Sequence, residues 1–497
     1  MPVDTKLNVF SGEDGLRDFY DPDKNIPVPL VELPARLNPY RKDGVRIYAK
    51  LMSHLPATNV KSLPALNMIL RAQENGSITP ETDTILEFSS GSTVISLGII
   101  SNIIGIPKVK AYISNKTSQI KLQLLQFFGM ELTLFGGPVQ PEPQDRDGGI
   151  FVATEHGREP GVFNPDQYSN KENYLAHMRW SGPQIYAQLP EISVFVASVG
   201  TSGTLTGTSL SLKKLKPSVT SVGVLTAPND RVPGPRNFNM LVPVVEFPWR
   251  EAMDVMEEVD SFCSYERSLE LCRNGILVGP SSGLALTGLL NFLKKRKDAG
   301  TLDALRNPAG EIPCVFICCD QPFQYIAEYF EKLGPSYFQP IKNEELFATD
   351  LYPYNIDWEL TPEKAYQMLY TTKRQTVEAE RKIFMLDIRD GANFRASHLD
   401  GFRNLDIDCD SRPNPYKDPA TLVLLFDRLK LRFAMTDPEF GRPLQDKTVI
   451  LLSKDGQASK LATSILRNRG VEAYYVIGGV QGFKASGLWG SAPRAYL

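Results

Sequence analysis

From position 45 onward, short apolar runs rich in β-branched residues alternate with longer stretches whose apolar positions recur every three or four residues. VRIYAKL (45–51), TDTILEF (82–88), KVKAYIS (108–114), MELTLFGG (130–137), EISVFVASV (191–199), SVTSVGVLTA (218–227) and PCVFICCD (313–320) read as strands. Between them, SLPALNMILRAQENG (62–76), TVISLGIISNIIG (93–105), KTSQIKLQLLQFFG (116–129), TGTSLSLKKLK (206–216) and LALTGLLNFLKK (284–295) read as helices. FQYIAEYFEKLG (323–334) is a further helix. Alternation of this kind predicts parallel sheets with helices on both faces, an α/β fold.

The pattern breaks at 335–358, which is aromatic and proline-rich without periodicity and reads as a linker that packs on something. A smaller α/β unit follows. It has helices at TPEKAYQML (361–369) and QASKLATSILRNRG (457–470), and strands at IFMLDIRD (383–390), KTVILLS (447–453) and EAYYVIGG (472–479). The division read here is a domain at 1–338, a linker at 339–357 and a second domain at 358–497.

At 497 residues the chain exceeds one ordinary core. Its net charge of −3 provides no global field that recruits nucleic acid or an anionic membrane. No apolar run reaches the roughly 18 residues of a spanning helix, and no secretory or organellar leader is read at the N-terminus. The expectation is a cytoplasmic protein without nucleic-acid or membrane partners. Cys314, Cys318 and Cys319 fall in one apolar run and read as buried reduced thiols. His54, His156, His177 and His398 are scattered, so no metal site is expected.

Three glycine- and hydroxyl-rich turns add chemistry. GTSGT (200–204) follows a strand and opens a helix, the local context for a phosphate cradle: Gly200 and Gly203 admit an anion close to the backbone, and Thr201, Ser202 and Thr204 add hydroxyls. EFSSGST (87–93) suits a carboxylate held on amides and hydroxyls, or a serine-rich helix cap. GPSSG (279–283) reads otherwise as a tight turn. With Lys61 ahead of a helix, these turns could serve a phosphate-bearing aldehyde cofactor bound to that lysine.

In order and spacing, PLVEL (29–33), IYAKLMSHLPATNVKS (47–62), EFSSGST, DQYSNKENYLAHM (166–178), VGTSGTLTG (199–207) and NGILVGPSSG (274–283) resemble the pyridoxal-phosphate enzymes of the cysteine synthase and cystathionine β-synthase group. The resemblance implies the two-subdomain, tryptophan-synthase-β-like fold (fold type II) and pyridoxal 5'-phosphate as cofactor. It places Lys61 on the catalytic Schiff-base lysine, Ser281 on the ring-nitrogen contact, Ser92 on the ring-oxygen contact, and Gly200, Thr201, Ser202, Gly203 and Thr204 on the phosphate. Ser89, Ser90, Gly91, Thr93 and Gln167 fall on the substrate carboxylate. The implied chemistry is β-replacement on a β-substituted amino acid (O-acetylserine, O-phosphoserine, serine or cysteine) through an aminoacrylate, with a small nucleophile. The alternatives are a β-elimination lyase of the cysteine desulfhydrase type and a silent scaffold; family members are homodimers. Two departures stand out. Ser92 replaces an asparagine and leaves the ring-oxygen contact to a water; Val94 replaces a glycine and adds bulk near the substrate carboxylate.

From about Thr361 the chain resembles rhodanese-like domains, in MLDIRDGANFRASHLDGFRNLDI (385–407) and GVEAYYVIGGVQGFKASG (470–487). In that family the catalytic loop begins with a cysteine; here it reads SKDGQAS (453–459), with Ser453 in that position. A serine hydroxyl does not ionise near neutral pH, and Cys409 lies far away in sequence, so this unit is expected to transfer no sulfur.

Overall fold

The computed structural model describes residues 8–136, 143–349, 353–371, 383–434, 436–440 and 442–490. Backbone proximity divides the chain into two compact units, Met1–Gln339 and Pro340–Leu497. Residues 350–352 of the linker lie outside the described residues.

The first unit holds two sheets. The larger has the order Leu30–Glu32, Val45–Leu51, Ile312–Cys318, Val194–Ser198, Thr220–Thr226, Val255–Val259. Only its first pair is antiparallel. Its inner strands carry apolar residues at almost every position because both faces are covered. Val194, Val196, Val222, Val224 and Phe316 pack on one side with the helix Pro280–Asp298. Phe195, Ala197, Leu225, Val315 and Ile317 pack on the other. The smaller sheet runs Glu131–Phe135, Lys108–Ser114, Thr84–Phe88, Val162–Phe163, all parallel. Strand ends and helix starts of both sheets meet at one cavity, the usual place for a ligand in an open α/β sheet.

The second unit is a five-stranded parallel sheet, ordered Glu359–Leu360, Glu472–Val476, Thr448–Leu452, Ile383–Asp387, Arg403–Asn404. Leu386, Val449, Leu451 and Ala473 face one core; Ile450, Leu452 and Val476 face another with Phe483. From the preceding stretch, Leu346 packs on the first of these cores, and Lys460 Nζ sits 4.1 Å from the Tyr354 ring centroid.

Several helices went unread in the sequence, two of them long. Ser261–Arg273 is capped by Asp260, whose carboxylate accepts from the Cys263 N–H at 2.8 Å. Pro419–Arg432 is capped by Asp418, which accepts from the Thr421 N–H at 3.0 Å. GPSSG is not a turn ahead of a helix: Pro280 is the first helical residue and Gly279 its cap. No helix among the described residues is long and apolar enough to cross a membrane.

Candidate active site

A cavity of about 200 Å³ opens between the two sheets of the first unit. All the cofactor- and substrate-site residues read in the sequence line it: Lys61; Ser89, Ser90, Gly91, Ser92 and Thr93; Gln167; Gly200, Thr201, Ser202, Gly203 and Thr204; and Ser281.

Lys61 immediately precedes the helix Ser62–Glu74, as the sequence indicates. Its backbone is pinned from both sides. The Val60 N–H donates to the Cys319 carbonyl at 2.7 Å, and the Lys61 N–H donates to Asn59 Oδ1 at 2.9 Å. Nζ of Lys61 donates to Thr201 Oγ1 at 3.1 Å. Burial lowers its proton affinity to a pKa of about 8; Cys319 and Glu87 oppose the shift and Arg236 adds to it. An amine near 8 is neutral for a useful fraction of the time at physiological pH, as a nucleophile or base requires.

The GTSGT turn joins strand Val194–Ser198 to helix Gly203–Leu215. Ser202 caps this helix with φ +63°, and its side chain makes no capping bond. The first helical N–H groups therefore remain available to an anion. A Cβ at Gly200 would lie 2.6 Å from the Gly234 carbonyl oxygen, and one at Gly203 would lie 2.1 Å from Asn173 Oδ1. Both glycines are required by close approach. Beneath the loop, Asn173 Nδ2 donates to Thr201 Oγ1 at 3.2 Å. His177, fully buried, bridges Thr204 Oγ1 (Nε2, 3.2 Å) and Ser181 Oγ (Nδ1, 2.8 Å) from a π-helical turn, His177–Ser181. Burial, with Lys61 nearby, drives the imidazole pKa down to about 3, so it is neutral.

The opposite wall is the segment before helix Ser92–Ile103. Its cap is Gly91, with no side-chain capping bond, so the serines are not spent as caps. Thr93 Oγ1 donates to Gln167 Oε1 at 2.7 Å. The Gln167 N–H in turn donates to Glu87 Oε2 at 3.2 Å. Val94 is fully buried in the core and is not part of the cavity lining, so it does not crowd the carboxylate position as expected.

Ser281 lies in the first turn of Pro280–Asp298, against Cys319. Cys319 corrects the reading of its run: Cys314 and Cys318 are buried in strand Ile312–Cys318, but Cys319 follows the strand and lines the cavity. Asp320, also unread in the sequence, accepts from Tyr325 Oη at 2.7 Å and from Ser92 Oγ at 3.4 Å. Burial raises its carboxyl to about 6 against the pull of Tyr325, Ser92 and Lys121. Lys121, in helix Gln119–Phe127, reaches Glu328 Oε1 at 2.7 Å. Arg231 and Arg236 complete the polar lining. These residues come from segments without motif spacing; the PGPR run at 233–236 was the available signal.

The donor set fits a phosphopyridoxal group. One amine of lowered pKa, an uncapped glycine-rich helix start with hydroxyls, and a neutral serine share one enclosed space. These features define an enzyme built around pyridoxal phosphate. A family model described as "Pyridoxal-phosphate dependent enzyme" matches residues 23–304, and one described as "Rhodanese-like domain" matches residues 361–486. The chain belongs to the pyridoxal-phosphate dependent enzymes and carries a C-terminal rhodanese-like domain. Cysteine synthase B of Escherichia coli is 31% identical over 283 residues, covering 54% of this chain and 86% of that one. Two solved structures share the fold. One is a hydrogen sulfide-producing enzyme of Fusobacterium nucleatum (TM-score 0.51, 24% identity, covering 60% of this chain and 94% of that one). The other is O-ureido-L-serine synthase (TM-score 0.53, 22% identity, covering 66% and 98%).

In the rhodanese-like domain the loop 453–459 leads into helix Gln457–Asn468. Ser453 is buried; its Oγ lies 3.1 Å from Ser459 Oγ and accepts the Ser459 N–H at 3.2 Å. Cys409, distant in sequence, is near this loop in space, since Lys454 Nζ donates to the Asp410 carbonyl at 3.0 Å. Its thiol donates to the Ile388 carbonyl at 3.3 Å. Burial and three neighbouring aspartates push its pKa far up, so it stays protonated and is a poor nucleophile.

Proposed function

We propose that this chain catalyses β-replacement on a β-substituted L-amino acid, with a small nucleophile taking the place of the leaving group. The observation that carries this reading is Lys61 Nζ hydrogen-bonded to Thr201 of the helix-start loop, facing the Ser89–Thr93 segment across one cavity. Bound pyridoxal phosphate supplies an electron sink for the pair left at Cα. Thr201, Ser202 and Thr204, with the backbone of Gly200 and Gly203, would hold its phosphate, and Ser281 would meet its ring nitrogen. Lys61 would be its covalent anchor. The Lys61 amine would take the Cα proton and later return it, a task suited to its lowered pKa. The amides and hydroxyls of Ser89–Thr93, with Gln167, orient the substrate carboxylate. Ser281, a neutral hydroxyl, cannot hold a pyridine nitrogen protonated, which favours departure of the β-substituent over transamination. β-Elimination without a second nucleophile would use the same residues.

The test is reduction of the reconstituted protein with borohydride and peptide mapping, followed by a donor-by-nucleophile matrix read by mass spectrometry. The label is expected on Lys61 and substituted amino acids among the products. A label elsewhere, or stoichiometric pyridoxamine, would overturn the reading. Sulfide and an oxo-acid formed from cysteine without added nucleophile would instead identify a lyase.

For the rhodanese-like domain we propose a docking or stabilising role without sulfur transfer. Ser453 already spends its hydroxyl on Ser459, and the nearby Cys409 thiol is held protonated. Thiosulfate sulfurtransferase turnover is expected to match that of Ser453→Ala; a rate clearly above that control contradicts it.

A further inference from the structure

Asp320 closes one end of the cavity, and its two carboxylate oxygens have unlike surroundings. Among the described residues it is the only acidic group of the cavity lining, and it is 5% exposed. Oδ2 accepts from Tyr325 Oη at 2.7 Å, Gln324 Nε2 at 3.2 Å and Ser92 Oγ at 3.4 Å. Oδ1 is buried and, among the described residues, has no partner. It is shut against Gly279, where a Cβ would lie 2.2 Å from it. The carboxylate therefore reaches the cavity through Oδ2 and Ser92. Its place is fixed from behind. The Asp320 carbonyl accepts from the Gly279 N–H at 2.9 Å, which ties it to the start of the helix that carries Ser281.

Ser92 has one proton to give, and Asp320 takes it. A carboxylate ion has no proton of its own. Burial raises Asp320 only to about 6, so it is ionised at neutral pH and the Ser92 hydroxyl is the donor. What Ser92 can then offer the cavity is its lone pairs. The sign of that contact matters. A donor beside a ring oxygen stabilises negative charge on it, whereas an acceptor backed by a carboxylate opposes that charge. The nearby ammonium groups are drawn elsewhere: Lys121 Nζ to Glu328 at 2.7 Å and Lys61 Nζ to Thr201 Oγ1 at 3.1 Å.

We propose that Asp320 is a positioning residue for the cofactor's ring oxygen: by taking the Ser92 proton it makes Ser92 an acceptor and holds a proton on that oxygen. This rests on the reading of the Lys61 cavity as a pyridoxal-phosphate site with Ser92 at the ring oxygen. The proton is the one that otherwise sits on the nitrogen joining Lys61 to the cofactor. It changes place between two atoms; no bond to carbon forms or breaks, and no oxidant or reductant enters. With the proton on oxygen the joining nitrogen carries no charge, and the link is a weaker electrophile. Asp320 thus restrains the resting cofactor without touching substrate.

The experiment uses the full chain reconstituted with pyridoxal phosphate, without substrate, as wild type, Ser92→Ala, Ser92→Thr, Asp320→Asn and the double variant Ser92→Ala with Asp320→Asn. The readout is the ratio of absorbance near ~410 nm, from the form protonated on nitrogen, to that near ~330 nm, from the form protonated on oxygen. The wild type divides between the two bands. Ser92→Ala and Asp320→Asn are each expected to raise the ratio about 3- to 10-fold, the effect of one hydrogen bond. Ser92→Thr keeps the hydroxyl and is expected to keep the wild-type ratio. The double variant is expected to match the larger single effect rather than the product of the two, because the residues act as a unit. A ratio that is unchanged or lowered in either single variant overturns the proposal. So does a double variant that multiplies the single effects, which would mean that Asp320 acts by its own charge and not through Ser92. Ser92→Thr behaving like Ser92→Ala also overturns it, by tracing the effect to packing. The two Ser92 variants leave Asp320 in place and decide the matter alone if Asp320→Asn does not fold. Failure of borohydride to label Lys61 in the wild type overturns the site reading and this proposal together; a labelled Lys61 with unmoved band ratios overturns this proposal alone.

Discussion

Lys61→Ala is expected to lose the visible absorbance near ~410 nm that a lysine-bound pyridoxal group carries, and to lose turnover by at least about 10³-fold. Two functions leave with one side chain. On the proposed reading the covalent anchor goes, and so does the base for the Cα proton. The structure offers no ready substitute. Among the described residues Lys121 is the only other lysine in the cavity lining, and its ammonium is ion-paired with Glu328 at 2.7 Å. Thr201 would lose its Lys61 partner but keep Asn173 Nδ2 at 3.2 Å, so the helix start should still bind phosphate. Retained affinity without the covalent band is therefore the specific signature. A variant that keeps both band and turnover would show that another amine does the work.

His177→Gln is expected to flatten the acid limb of the stability of the first unit. In the folded chain this imidazole titrates near 3; unfolded, it returns to about 6.5. A depressed pKa means that the unfolded state binds the proton more readily. Its contribution is fully present above pH 6.5 and is lost as pH falls towards 3. At about 1.4 kcal/mol per pH unit, the loss amounts to as much as about 5 kcal/mol over that window. A glutamine amide can still offer a donor and an acceptor to Thr204 and Ser181, yet carries no titrating proton. The measurement is urea unfolding at pH 7 and pH 4.5 with saturating cofactor, followed by visible absorbance. Wild type should lose more between the two pH values than the variant; equal losses would mean that the imidazole does not govern this limb.

Much of this was legible because it is local. The turn sequences at 87–93 and 200–204 state their own backbone requirements, and strands buried on both faces announce themselves as continuous apolar runs. The helix Pro419–Arg432 was equally legible and went unread. DPATLVLLFDRL has an aspartate cap, a proline in the first turn and apolar Leu422, Leu425, Phe426 and Leu429 at helical spacing, all buried. By contrast, no local pattern announces the roles of Asp320 or His177, and only the PGPR run at 233–236 points to Arg236. Each reaches the cavity or its supports because a strand end, a loop or a π-helical turn delivers it there, and only the folded chain brings 61, 177, 236 and 320 together. The cysteine run shows the same limit: one residue beyond the last strand position, burial in a core becomes exposure to a reaction chamber.

The separate hydrophobic cores of Met1–Gln339 and Pro340–Leu497 have a calorimetric consequence. Each can melt on its own schedule, so heating the whole chain need not yield a single Tm, and a far-ultraviolet signal would average two events. The cofactor chromophore reports one of them alone, whereas tryptophan emission mixes both, since Trp180 and Trp249 lie in the first unit and Trp358 and Trp489 in the second. The molecule thus carries a built-in thermometer for its first half.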